Sequence, residues 1–123
     1  MSILLIEDEK DVRDSLATLL RSAGYHVVSA ASAMEGLDSL KKNNDIRLML
    51  VDYVMPEMSG EEFLRKVWAE EHRPPALVMT GIAPWMSMGL LELGVGYLRK
   101  PINSDLLLGT VETYMKKGAS GWA

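Results

Sequence analysis

A chain of 123 residues suits one domain with a real core and is too short for two substantial ones. Apolar residues make up 48% and charged residues 24%, and a net charge of −4 disfavours a domain that grips nucleic-acid phosphates. With no cysteine there are no disulfides, thiolate nucleophiles or thiolate metal sites, and zinc is improbable because His26 and His72 stand far apart without ligand spacing; each reads as a surface or turn residue.

The opening segment "MSILLIEDEK" has no basic stretch, and its apolar run falls well below signal-peptide or membrane-span length, so a cytoplasmic location without membrane contact is the expectation. Its core, ILLI at 3–6, predicts the first strand. Val12, Leu16, Leu19 and Leu20 then form one helical stripe, and Gly24 is placed to end that helix. A second strand is expected in HVVSA at 26–30. Ser32 and Glu35 fit a capping box, so a second helix begins there and carries Leu37 and Leu40. The run RLMLV at 47–51 predicts a third strand, and Ser59 with Glu62 marks a third helix bearing Phe63, Leu64, Val67 and Trp68. ALVM at 76–79 is a fourth strand, Pro84 suits the first turn of a fourth helix, and GYLR at 96–99 is a fifth strand. Leu107, Val111 and Tyr114 give a fifth helix its apolar face. The domain is expected to cover residues 1–117, with 118–123 a tail or the start of a linker; Trp122 there reads as part of a frayed terminus.

Five strand and helix pairs in alternation imply an α/β fold: a parallel sheet with helices on both faces, in the flavodoxin-like order 2-1-3-4-5. In that order the binding crevice lies beyond the carboxyl ends of strands one and three. The strand ends carry the chemistry. Strand one ends in Glu7 and Asp8, strand three in Asp52, strand four in Thr80 and Gly81, and strand five runs into Lys100 and Pro101. Three converging carboxylates need a cation, and oxygen-only ligands favour Mg²⁺, with Lys100 as a second positive charge. Singly, each has a plainer reading: the acids as a solvated helix-capping turn, Thr80 as a β-branched strand residue, Lys100 as a surface lysine, and Pro101 as the start of a helix. Their joint placement at one sheet edge favours a site.

From "ILLIEDE" through "VDYVMPEMSG" and "VMTG" to "YLRKP" the chain resembles the receiver domain of two-component response regulators. The resemblance implies that Asp52 is a phosphoacceptor, that Glu7 and Asp8 with Asp52 and the Val54 backbone carbonyl hold Mg²⁺, and that Thr80, Gly81 and Lys100 bind the phosphoryl group. It implies a cis Lys100–Pro101 bond, with Pro56 and Gly60 shaping the loop after the nucleophile. It implies too that Thr80 and Tyr97 act as a switch, although Tyr97 alone equally reads as an aromatic packed at a strand edge. The implied partners are a histidine kinase or phosphorelay protein and an effector reached through the fourth helix, fifth strand and fifth helix, with a homodimer of the phosphorylated form left open. A mere phosphoacceptor is not itself an enzyme.

Departures stand beside these matches. The interval from Thr80 to Lys100 is shorter than the family's usual spacing, and Trp85, Met86 and Met88 fall where charged residues are common, either as core or as an adaptable apolar partner surface. Val54 and Ile82, two residues beyond Asp52 and Thr80, cannot orient a water by hydrogen bonding, which implies slow self-dephosphorylation unless both side chains point away. Two other functions compete: a pseudo-receiver that only binds partners, and an aspartyl-phosphate phosphohydrolase, which wants a second acid where Val54 stands.

Overall fold

The computed structural model describes residues 1–69, 74–81 and 95–117. Its elements are β1 (Ser2–Ile6), α1 (Lys10–Ser22), β2 (His26–Ala30), α2 (Ala33–Lys42), β3 (Ile46–Asp52), α3 (Gly60–Trp68), β4 (Ala76–Thr80), β5 (Gly96–Arg99) and α4 (Ser104–Lys117). Here α4 is the helix expected from Leu107, Val111 and Tyr114. The helix expected at Pro84 lies outside the described residues, as do His72, Ile82, Trp85, Met86, Met88 and the tail at 118–123. All five strands pair in parallel, in the order β2-β1-β3-β4-β5.

The central strands β1, β3 and β4 lack polar alternation because both of their faces are covered, whereas the edge strands β2 and β5 carry exposed residues such as His26, Ser29 and Arg99. Leu4 and Ile6 of β1 pack with Phe63, Leu64 and Val67 on the α2 and α3 face. Ile3 and Leu5, one residue out of phase, pack with Leu16, Leu20, Leu107 and Val111 on the α1 and α4 face. Val12 and Leu19 of the expected α1 stripe lie at the margin of that second layer.

Helix boundaries follow local chemistry. Gly24 has φ +97°, a left-handed conformation that ends α1 and that a side chain would resist. The Ser32 hydroxyl accepts from the Glu35 N–H at 3.2 Å. At α3 both halves of the capping box form: the Glu62 N–H donates to Ser59 Oγ at 3.1 Å and the Ser59 N–H to Glu62 Oε1 at 3.4 Å.

The amino ends of three strands are joined as well. Ser2, 1% exposed, donates its hydroxyl proton to Asp45 Oδ2 at 2.8 Å and lies 2.7 Å from His26 Nδ1. A serine hydroxyl has one proton, so Nδ1 donates its own to Ser2 Oγ. His26 is thus exposed, as expected, but engaged across strands.

Candidate functional site

At the opposite, carboxyl edge of the sheet, β3 is longer than its apolar run: the strand includes Asp52, which pairs with Met79, and β4 includes Thr80, which pairs with Arg99. Both side chains are therefore fixed by ladder geometry, and Asp52 and Thr80 are 4% and 3% exposed. Main-chain bonds continue beyond the strands: the Tyr53 N–H donates to Met79 O at 2.9 Å and the Lys100 N–H to Thr80 O at 2.8 Å. The Lys100–Pro101 bond is cis.

Lys100 reaches back over this edge. Its Nζ lies 2.9 Å from Glu7 Oε1 and 3.2 Å from Asp52 Oδ1, joining the ends of β1, β3 and β5. Glu7 is fully buried, and its other oxygen accepts the Glu9 N–H at 3.2 Å. Asp8 is exposed. Glu7, Asp8 and Asp52 can each present a carboxylate oxygen within 4.8 Å of the others.

The electrostatics follow from that crowding. Burial and then the Glu7 carboxylate push Asp52 up to about 7, against the pull of Lys100. Burial works against the Lys100 charge, but the hydrogen bond to Glu7 and the charge of Asp52 hold it above the ordinary lysine value. Three acids facing one ammonium leave an excess of negative charge, and an all-oxygen donor set of this size fits a hard divalent cation such as Mg²⁺.

The loop after β3 depends on one glycine. The Gly60 N–H donates to Tyr53 O at 2.7 Å, and a Cβ on Gly60 would stand 2.9 Å from the Asp52 carbonyl oxygen. Any larger residue would push α3 off the end of β3. Met55 is buried under this loop, whereas Pro56 is exposed and the Val54 side chain is 67% exposed. Gly81 has no comparable constraint: a Cβ there meets no described atom within 4 Å.

Tyr97, on β5 opposite Val78, packs against the α2 and α3 layer, with Tyr53 nearby. Its hydroxyl is buried and has no hydrogen-bond partner among the described residues. Burial, then the nearby Glu61 carboxylate and Tyr53, raise its pKa.

The structure thus brings Glu7, Asp8, Asp52 and Lys100 together at one edge, with Thr80 at the end of the adjoining strand. Arg13 was not singled out by sequence: its Nη1 donates to Glu7 O at 2.9 Å and to Asp8 O at 3.4 Å. The available signal was a cation in the first turns of a helix, within the acid-rich stretch EDEKDVRD.

Residues 3–112 match the response regulator receiver domain family. The cell cycle response regulator CtrA of Brucella ovis is 31% identical over 120 residues, covering 95% of this chain and 51% of that protein. The chain therefore spans about half the length of the curated relatives it matches. Among solved structures, the receiver domain of the hybrid histidine kinase CckA superposes with a TM-score of 0.79 at 33% identity, over 93% of this chain and 98% of that one. A CheY-like receiver domain protein from Methanospirillum hungatei JF-1 gives 0.86 at 30% identity, over 94% of each chain. The chemotaxis response regulator CheY4 of Vibrio cholerae gives 0.85 at 29%, over 92% and 97%. With a parallel 2-1-3-4-5 sheet and an acidic pocket where β1 and β3 end, this chain belongs to the response regulator receiver domain family.

Proposed function

We propose that this domain accepts a phosphoryl group on Asp52 from a phosphohistidine of a kinase or relay protein, in a Mg²⁺-dependent reaction, and passes the change to an effector. The observation that carries the reading is the Lys100 ammonium between the buried carboxylates of Glu7 and Asp52. An Asp52 oxygen attacks phosphorus, the phosphorus–nitrogen bond of the donor breaks, and the electron pair leaves on the imidazole, giving an acyl phosphate. Aspartate is a weak nucleophile, so catalysis is mostly the neutralisation of charge on the equatorial oxygens.

Glu7, Asp8, Asp52 and the Val54 carbonyl would hold Mg²⁺, which supplies electrostatic stabilisation of the transferred group. Lys100, held in place by Glu7, supports the same oxygens from the other side, and the Thr80 hydroxyl and Gly81 N–H donate to one that remains. Gly60, Pro56 and Pro101 set the loops around the pocket.

Downstream, Thr80 is drawn toward the phosphoryl group and Tyr97 moves further into the layer beside Tyr53. The output face comprises β5, α4 and the helix expected at Pro84, and its partner is an effector or a second phosphorylated copy. No helix among the described residues is long and apolar enough to cross a membrane, and the reading places the domain with its donor in the cytoplasm.

The test is phosphorylation by a small-molecule phosphodonor such as acetyl phosphate, followed by intact mass. One added phosphoryl group requiring Mg²⁺ and absent in Asp52→Asn supports the reading. A modified Asp52→Asn variant, or a wild type inert to every donor, rejects it.

A further inference from the structure

The loop between β1 and α1 carries two of the three pocket acids; among the described residues its side chains are held at Glu7, by Lys100, while Asp8 is exposed. Glu9, the N-cap of α1, makes no side-chain capping bond. The Glu7 N–H donates to Ala30 O at 3.1 Å, and the Glu9 N–H donates to Glu7 Oε2. The carbonyls of Glu7 and Asp8 are taken by a single nitrogen, Arg13 Nη1, at 2.9 Å and 3.4 Å.

A guanidinium so near a helix N-terminus opposes the helix macrodipole, and its place there needs an offset. Glu7, Asp8, Glu9 and Asp11 surround it in sequence and supply one. Helical side chains lean toward the N-terminus, so position 13 can reach back over the loop.

We infer that Arg13 is a positioning residue for the acidic pair: by tying down the main chain at Glu7 and Asp8, it sets how the Asp8 carboxylate faces Asp52 and so how well the pocket takes a divalent cation. The inference rests on the receiver reading of that pocket. It adds a residue whose bonds go to main-chain carbonyls rather than to the carboxylates themselves.

Two properties of Arg13 act in opposite directions on a bound cation. Its charge repels the cation, so neutralising a bystander arginine would tighten binding. Its bonds hold the loop, so removing a positioning arginine loosens binding. The direction of the change separates the two.

The experiment is a Mn²⁺ titration of the full 123-residue chain, reading free Mn²⁺ by electron paramagnetic resonance, with circular dichroism as the check on folding. Wild type, Arg13→Gln and Arg13→Lys are compared. Arg13→Gln weakens Mn²⁺ binding about tenfold, the low end for outer-shell partners of metal ligands. Arg13→Lys recovers most of that loss, because an ammonium can also donate to both carbonyls from one nitrogen. Phosphorylation of Arg13→Gln is slow at low Mg²⁺ and returns to the wild-type rate at saturating Mg²⁺. A folded Arg13→Gln that binds Mn²⁺ as well as wild type, or better, overturns this inference alone. A wild type that binds no Mn²⁺ overturns the Mg²⁺-dependent phosphoacceptor function proposed for the pocket.

Discussion

Replacing Asp52 by asparagine should make the metal-free domain more stable, although it removes the proposed phosphoacceptor. In the folded chain the Asp52 carboxyl is raised from 3.8 to about 7, chiefly by burial and by Glu7. Between about pH 4 and pH 7 the folded chain therefore keeps a proton that the unfolded chain has released, and stability falls as pH rises through that window. A gap of about three units at 1.36 kcal/mol each sets a ceiling of about 4 kcal/mol above pH 7. The pull of Lys100 is already contained in that value, and screening by solvent at the mouth, where Asp8 is exposed, lowers the gain to about 2 kcal/mol. The assay is urea denaturation in chelator at about pH 4.5 and pH 8. Asp52→Asn should exceed wild type clearly at pH 8 and hardly at all at pH 4.5, and Mg²⁺ should close the difference by stabilising only wild type. Equal pH dependence in the two proteins would refute the claim that this carboxylate is held at an energetic cost.

The complementary change, Lys100→Met, leaves Glu7 and Asp52 buried together without their cation, and should cost about 3 kcal/mol at pH 8 by denaturation, with a smaller loss near pH 5. Gly60→Ala sets a methyl group against the Asp52 carbonyl and should cost about 2 kcal/mol, seen as a lower urea midpoint at unchanged slope. Ser59→Ala removes one half of the α3 capping box and should cost about 1 kcal/mol by the same measurement. The acyl phosphate of the isolated domain should persist for minutes or longer, because Val54 offers no hydrogen bond to an attacking water. Loss within seconds by intact mass rejects that expectation.

The central strands were legible because burial on both faces leaves apolar runs; alternation with helices implied a parallel sheet, and its order, 2-1-3-4-5, was chosen among doubly wound possibilities and is the one the structure has. Asp52 and the Glu7–Asp8 pair stood out as acids closing such runs. Three features were hidden from the sequence for a shared reason: each depends on main-chain geometry or on partners far apart along the chain. Arg13 acts on carbonyl oxygens, which every residue carries, so its identity names no partner. Gly60 read as a loop glycine, but its necessity comes from the backbone of Asp52 pressing on it. His26 gave no sign of its bond to Ser2, twenty-four residues away.

That last bond has a wider consequence. The Ser2, His26 and Asp45 side chains lash three strands together at the floor of the sheet, whereas the rim opposite holds like charges at close quarters. Lys100 ties that rim across β1, β3 and β5, so the two borders of the sheet are held by opposite means, neutral and ionic hydrogen bonds below and a single ammonium among acids above. A phosphoryl group on Asp52, as proposed, would add its charge at the rim, a strand's length away from the lashing that joins β1, β2 and the start of β3.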